Sequence, residues 1–105
     1  MINVKIIKKE SEIEIYSRGH AEYAEHGKDI ICSAVSALII NTVNSIEELT
    51  NSKIKIISSV EGDLKVNVLD KTDEAELLIK SLILGLKSIR DEYENKYIDI
   101  AYTEV

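Results

Sequence analysis

The chain has one cysteine, Cys32, and two histidines, His20 and His26, in 105 residues. Cys32 falls where a long apolar helix is expected to begin, and His20 lies twelve residues upstream across a short polar segment. A thiolate is the form of cysteine that attacks a carbonyl. Helix starts and a neighbouring imidazolium commonly lower a thiol's pKa from about 8.5. With Asp29 as N-cap, Cys32 is the third helical residue, within the turn whose backbone N–H groups lack intrahelical partners. Those N–H groups, around Ile31 to Ser33, are expected to hold the oxyanion of a tetrahedral intermediate. His20, at the end of a strand-like segment, is then the base that deprotonates the thiol and later the acid that protonates the leaving amine. The plainer alternatives are a small buried apolar cysteine and a surface histidine.

The residues around this pair have roles to match. Asp29 caps the helix and, as a second role, orients His20 in the manner of a triad. Ser36 stands one turn after Cys32 on the same flank, either to hydrogen-bond near the site or to pack as a small residue. Gly19 and Gly27 are candidate hinges, and Gly27 is equally read as an ordinary loop glycine. The break in regular pattern from Gly19 to Lys28 is longer than a typical connection, and such loops are more often functional than structural. His26 is a weaker competitor for the base, being mid-loop beside Gly27. His20, His26, Asp29 and Cys32 are all zinc-ligand types. Their H-x5-H-x5-C spacing matches none of the closely paired structural zinc patterns, and no metal or cofactor is expected.

The scaffold follows from periodicity. Five segments alternate apolar and polar as half-buried strands do: Ile2-Val4-Ile6, Ile13-Ile15, Ile54-Ile56, Leu64-Val66-Val68 and Ile98-Ile100-Tyr102. Val60-Glu61-Gly62-Asp63 is a turn sequence between the third and fourth. One helix is predicted from about Asp29 to Thr50, with Ile31, Val35, Leu38, Ile39, Ile46 and Leu49 as its core stripe and a smooth side at Ser33, Ala34 and Ala37. A second is predicted from about Thr72 to Asn95, with a stripe of Ala75, Leu78, Ile79, Leu82, Leu86, Ile89 and Tyr93. Leu77 and Leu84 lie nearly opposite that stripe, either as isolated exposed leucines or as a second packing surface such as a homodimer contact. The order β-β-α-β-β-α-β, over residues 1–105, predicts a single two-layer α+β domain. Its small sheet is mostly antiparallel, with two long helices over one face.

Composition narrows the function. At 45% hydrophobic and 30% charged, the chain is neither disordered nor membrane-like in composition. No unbroken apolar run approaches the roughly 18 residues needed to span a bilayer, so no membrane association is expected. The first residues, MINVKIIKKE, lack the pattern of a signal peptide, and a lone cysteine makes no internal disulfide, so a reduced cytoplasmic setting is expected. A net charge of −6 argues against nucleic acid and suits a basic partner.

The segment from Gly19 to Ser36, GHAEYAEHGKDIICSAVS, resembles the signature G-H-A-x5-G-x-D-I-[IV]-C-x-A-V-S of the ribosomal-processing cysteine proteases (the Prp, or YsxB-like, family). The resemblance extends over the chain in length and element order. It implies a cytoplasmic cysteine endopeptidase with a His–Cys dyad that maps onto His20 and Cys32, with Gly19, Asp29 and Ser36 at the family's other motif positions. It also implies a homodimer and a mobile loop that must move to admit substrate: Ala21, Glu22, Tyr23, Ala24, Glu25, His26, Gly27 and Lys28. The substrate it implies is large-subunit ribosomal protein twenty-seven carrying an N-terminal extension, which cleavage after a pair of aromatic residues removes. Two readings compete with it: a non-catalytic ribosome-associated binding module and a zinc-binding regulator.

Overall fold

Alternating apolar residues do form the five strands. The computed structural model describes residues 1–25, 29–60 and 62–105. In chain order the elements are β1 (Ile2–Lys8), β2 (Ile13–Arg18), α1 (Ile30–Leu49), β3 (Lys53–Val60), β4 (Asp63–Leu69), α2 (Asp73–Glu92) and β5 (Ile98–Glu104). They make one sheet in the order β3-β4-β2-β1-β5, antiparallel at every pairing except β1 with β5. The architecture is the two-layer α+β arrangement expected from the sequence.

The period of two decides which face is covered. Ile2, Val4 and Ile6 of β1, Ile13 and Ile15 of β2, and Val66 and Val68 of β4 are all buried. Asn3 and Lys5, one residue out of phase, are exposed on the other face. Both helices close over the apolar face, contributing Ile31, Val35, Ile39 and Ile46 from α1 and Ala75, Ile79, Leu82 and Leu86 from α2. Each of the larger side chains among them stabilises the fold by about 1.5–3 kcal/mol relative to exposure. The helices approach closely at Gly85, where a Cβ would sit 3.0 Å from Leu38 Cδ1.

Four expectations need correction. Leu49 is 74% exposed rather than in the core, being the last residue of α1, beyond a stripe whose final buried member is Ile46. Thr42 is buried in the stripe instead, its hydroxyl donating to the Leu38 carbonyl at 2.7 Å so that no polar atom is stranded. α2 ends at Glu92 rather than Asn95, since Glu94 and Asn95 take φ of 64° and 61° and the Asn95 N–H returns to the Arg90 carbonyl. Finally, α1 is long and apolar enough to cross a membrane by length and composition, although no unbroken apolar run announces it. Its apolar stripe here is buried against the sheet and α2.

Candidate active site

Cys32 owes its position to Asp29. That residue has extended backbone angles (φ −81°, ψ 103°), and its Oδ1 accepts the N–H groups of Ile31 and Cys32, each at 3.0 Å. Its backbone carbonyl accepts from the Ser33 N–H and the Ser33 hydroxyl, both at 3.1 Å. Its Oδ2 reaches back along the chain to accept the Tyr23 N–H at 2.9 Å. The carboxylate is only 6% exposed. Burial alone would push its pKa up, but donation from the amides of Cys32, Tyr23, Ala24 and Ile31 outweighs that and holds it below the usual carboxylate range. Asp29 therefore caps the helix as predicted and also ties the preceding loop to it.

This arrangement overturns one detail of the sequence reading. The N–H groups of Ile31, Cys32 and Ser33, expected to receive an oxyanion, already point at acceptors on Asp29. A strong N-cap and an open anion site compete for the same donors.

His20 reaches the site through a turn that only glycine accommodates. Gly19 follows β2 at φ 100°, and a Cβ there would collide with the Met1 carbonyl oxygen. Its N–H donates to the Gly62 carbonyl at 2.8 Å, which pins the tip of the β3–β4 hairpin beside the end of β2. The His20 ring then lies against Gly62, where an added Cβ would sit 2.8 Å from Nε2. In the next residue, the Ala21 N–H points at Cys32 Sγ, 3.2 Å away. The backbone at His20 and the thiol thus meet across one hydrogen bond. Gly62 is a site residue that sequence reasoning read only as part of a turn. What was missing was the pairing of β2 with β4, which aligns Arg18 with Asp63.

Beyond Ala21, Glu22 takes φ 60° and turns Tyr23 back toward Asp29. The Tyr23 ring stands edge-on to Tyr93 and Tyr97, with centroids 5.5 and 5.3 Å away. Such pairs add about 0.5–1.5 kcal/mol each beyond area burial. Within the expected mobile segment, Ala21 to Tyr23 is therefore anchored to Cys32, to Asp29 and to the end of α2. His26, Gly27 and Lys28, with the competing base and the second candidate hinge among them, lie outside the described residues.

A groove of about 770 Å³ opens over these groups. One wall is α1, through Cys32, Ser33, Ser36 and Ile40; the other is the β3–β4 hairpin, through Ser59, Val60, Gly62, Asp63 and Leu64. His20, Glu22 and Ala24 also line it, as do the buried Val35 and Ile39. The groove thus brings together His20, Cys32, Gly19, Asp29 and Ser36 of the sequence-derived site. Of the smooth helix surface only Ser33 lines it; Ala34 and Ala37 do not. No group of three His, Cys, Asp or Glu side chains suited to a metal ion occurs among the described residues. The geometry fits an extended peptide lying between a helix and a hairpin, its backbone passing the thiol.

Known proteins share this frame. The profile of the family described as Cysteine protease Prp matches residues 1–99. The ribosomal processing cysteine protease Prp of Staphylococcus aureus (strain Mu50) is 32% identical over 106 residues, spanning 97% of this chain and 99% of that protein. A crystal structure of an essential ribosomal processing protease Prp from S. aureus, with a covalently linked product peptide, superposes with a TM-score of 0.87 at 31% identity. It covers 97% of this chain and 99% of its own. A second structure of that protease, in complex with a substrate peptide, gives 0.80 at 30% identity with the same coverage.

Proposed function

The chain belongs to the Prp family of cysteine proteases, and on that premise we propose that it cleaves a peptide bond with Cys32 as nucleophile and His20 as base and then acid. One observation carries this reading: the residue directly after His20 donates its N–H to Cys32 Sγ at 3.2 Å, in a groove that both residues line. His20 takes the thiol proton and Sγ attacks the scissile carbonyl carbon. The carbonyl π pair moves onto oxygen, and collapse of the intermediate expels the amine, which leaves with the proton from His20. Water, deprotonated by His20, then hydrolyses the thioester and frees Cys32. Asp29 serves this chemistry by fixing the helix start and the loop. Ser36 lies one turn along the groove.

The substrate proposed is large-subunit ribosomal protein twenty-seven bearing an N-terminal extension, met in the cytoplasm. Its basic character suits a chain of net charge −6 with Glu22 and Asp63 along the groove. The relatives named for ribosomal processing, one of them bound to a substrate peptide, support a peptide of this class. We further propose a homodimer formed through the outer face of α2, where Leu77 and Leu84 are 67% and 68% exposed; sedimentation as a monomer at micromolar concentration would refute it.

The decisive test is incubation with the organism's own ribosomal protein, followed by mass measurement of the products. Loss of the N-terminal extension is expected. Cys32→Ala should abolish that cleavage while leaving the circular dichroism spectrum unchanged. Cleavage at the wild-type rate by this variant would refute the assignment.

A further inference from the structure

With the Ile31, Cys32 and Ser33 amides of α1 directed at Asp29, the oxyanion needs another donor, and we infer that the backbone N–H of Ala21 supplies it. The inference rests on the assignment of Cys32 as nucleophile. Three observations lead to it. The N–H groups of Ile31, Cys32 and Ser33 each have an acceptor on Asp29. The Ala21 N–H is directed at Cys32 Sγ from 3.2 Å. His20 and Glu22, which flank the buried Ala21, both line the groove, as does Cys32, whose Sγ this N–H contacts.

The geometry suits a transfer of the hydrogen bond during reaction. When Sγ bonds to the scissile carbon, the former carbonyl oxygen lies two bonds from the sulfur. A donor already in contact with the sulfur reaches that oxygen with a small shift. As electrons pass from sulfur to the new C–S bond and from the C=O π bond to oxygen, the negative charge moves from Sγ to the oxyanion. The donor follows the charge. On collapse the C–N bond breaks, the carbonyl re-forms and the amine leaves with the proton from His20.

A donor fixed in advance is worth more than a mobile one because no reorganisation is needed at the moment of reaction. Ala21 is so fixed. Its side chain is buried in the core at 3% exposure, and Tyr23, two residues on, is held by Asp29 and by the Tyr93–Tyr97 pair. Proline is the one residue that cannot serve at position 21, because it has no N–H.

The test removes a single hydrogen-bond donor. Because Cys32 is the only cysteine, chemical ligation can join residues 1–31 to 32–105 there, with lactic acid in place of Ala21 so that an ester replaces the amide N–H. The expected result is a fall in kcat of about a hundredfold or more, with alkylation of Cys32 by iodoacetamide, which forms no oxyanion, changed less than about threefold. A kcat within about threefold of the all-amide chain, or kcat and alkylation falling in parallel, would overturn the inference. Should the ester chain fail to fold, the unmodified protein still decides. A peptide aldehyde adding to Cys32 must shift the Ala21 amide proton downfield, and an unmoved resonance with the hemithioacetal formed would overturn it. Failure of the underlying assignment looks different: Cys32→Ala would cut normally and no hemithioacetal would form.

Discussion

The two helices begin in opposite ways. α2 starts at Thr72, whose hydroxyl accepts the Ala75 N–H at 3.1 Å, and three acids follow in the first turn: Asp73, Glu74 and Glu76. Those charges complement the helix dipole, and Glu76 also pairs with Lys8 at 2.7 Å and Lys71 at 3.3 Å. α1 has no acid in its first turn, and its cap is a buried carboxylate that binds the loop as well as the helix. Satisfying a dipole with side-chain acids stabilises a helix but repels further negative charge. The start of α1 carries a single carboxylate, Asp29, whose Oδ1 accepts the Ile31 and Cys32 amides, with no further acid in the turn that bears the thiol. One helix start serves stability alone, and the other also positions the proposed nucleophile.

The largest expected effect comes from breaking the cap of α1. Asp29→Ala should cost about 2 kcal/mol, or roughly 10 °C in Tm, and lower peptide cleavage by more than about tenfold because the loop loses its tie to the helix. Calorimetry and a peptide assay check both. Gly62→Ala sharpens the comparison from the other side of the groove. Its Cβ would displace the His20 ring at a backbone φ of 75°, so kcat should fall about tenfold for roughly 1 kcal/mol of stability. An unchanged kcat would show that the place of His20 against the hairpin is unimportant. Thr72→Ala should cost about 1 kcal/mol and leave kcat/KM of the folded enzyme unchanged. Loss of activity there would erase the distinction between the two starts.

The smallest effect is in pH. The Asp29 pKa is depressed below its ordinary 3.8 in the fold, so its stabilisation is present above that pH and is lost as pH falls through the folded value. The Tm gap between wild type and Asp29→Asn should therefore narrow between pH 6 and pH 3. A gap that widens on acidification would contradict this sign.

Much of the molecule was legible before any coordinates. Both helices, the N-cap at Asp29, the start of the second helix near Thr72, and all five strands follow from local patterning, because capping and amphipathic period are short-range matters. Cys32 and His20 stood out by their position, and the motif around them by its resemblance to a family signature. Leu49, placed in the core stripe by its period, and Ile56, in a strand as expected, are both exposed. Period alone cannot say which turn of a helix is the last to be covered or which strand lies at an edge. Ile56 keeps the alternation yet is 60% exposed, since β3 is the outermost strand.

The amino-acid sequence by itself determined the elements, the identity of the thiol and histidine, and the cap that places Cys32 at a helix start. These depend on residues within a turn or two of one another. The tertiary structure alone decided that the β3–β4 hairpin stands beside His20, with Gly62 beneath the ring. It also decided that Tyr23 anchors the loop on Tyr93 and Tyr97. Such arrangements join residues dozens of positions apart, and only the folded chain settles them.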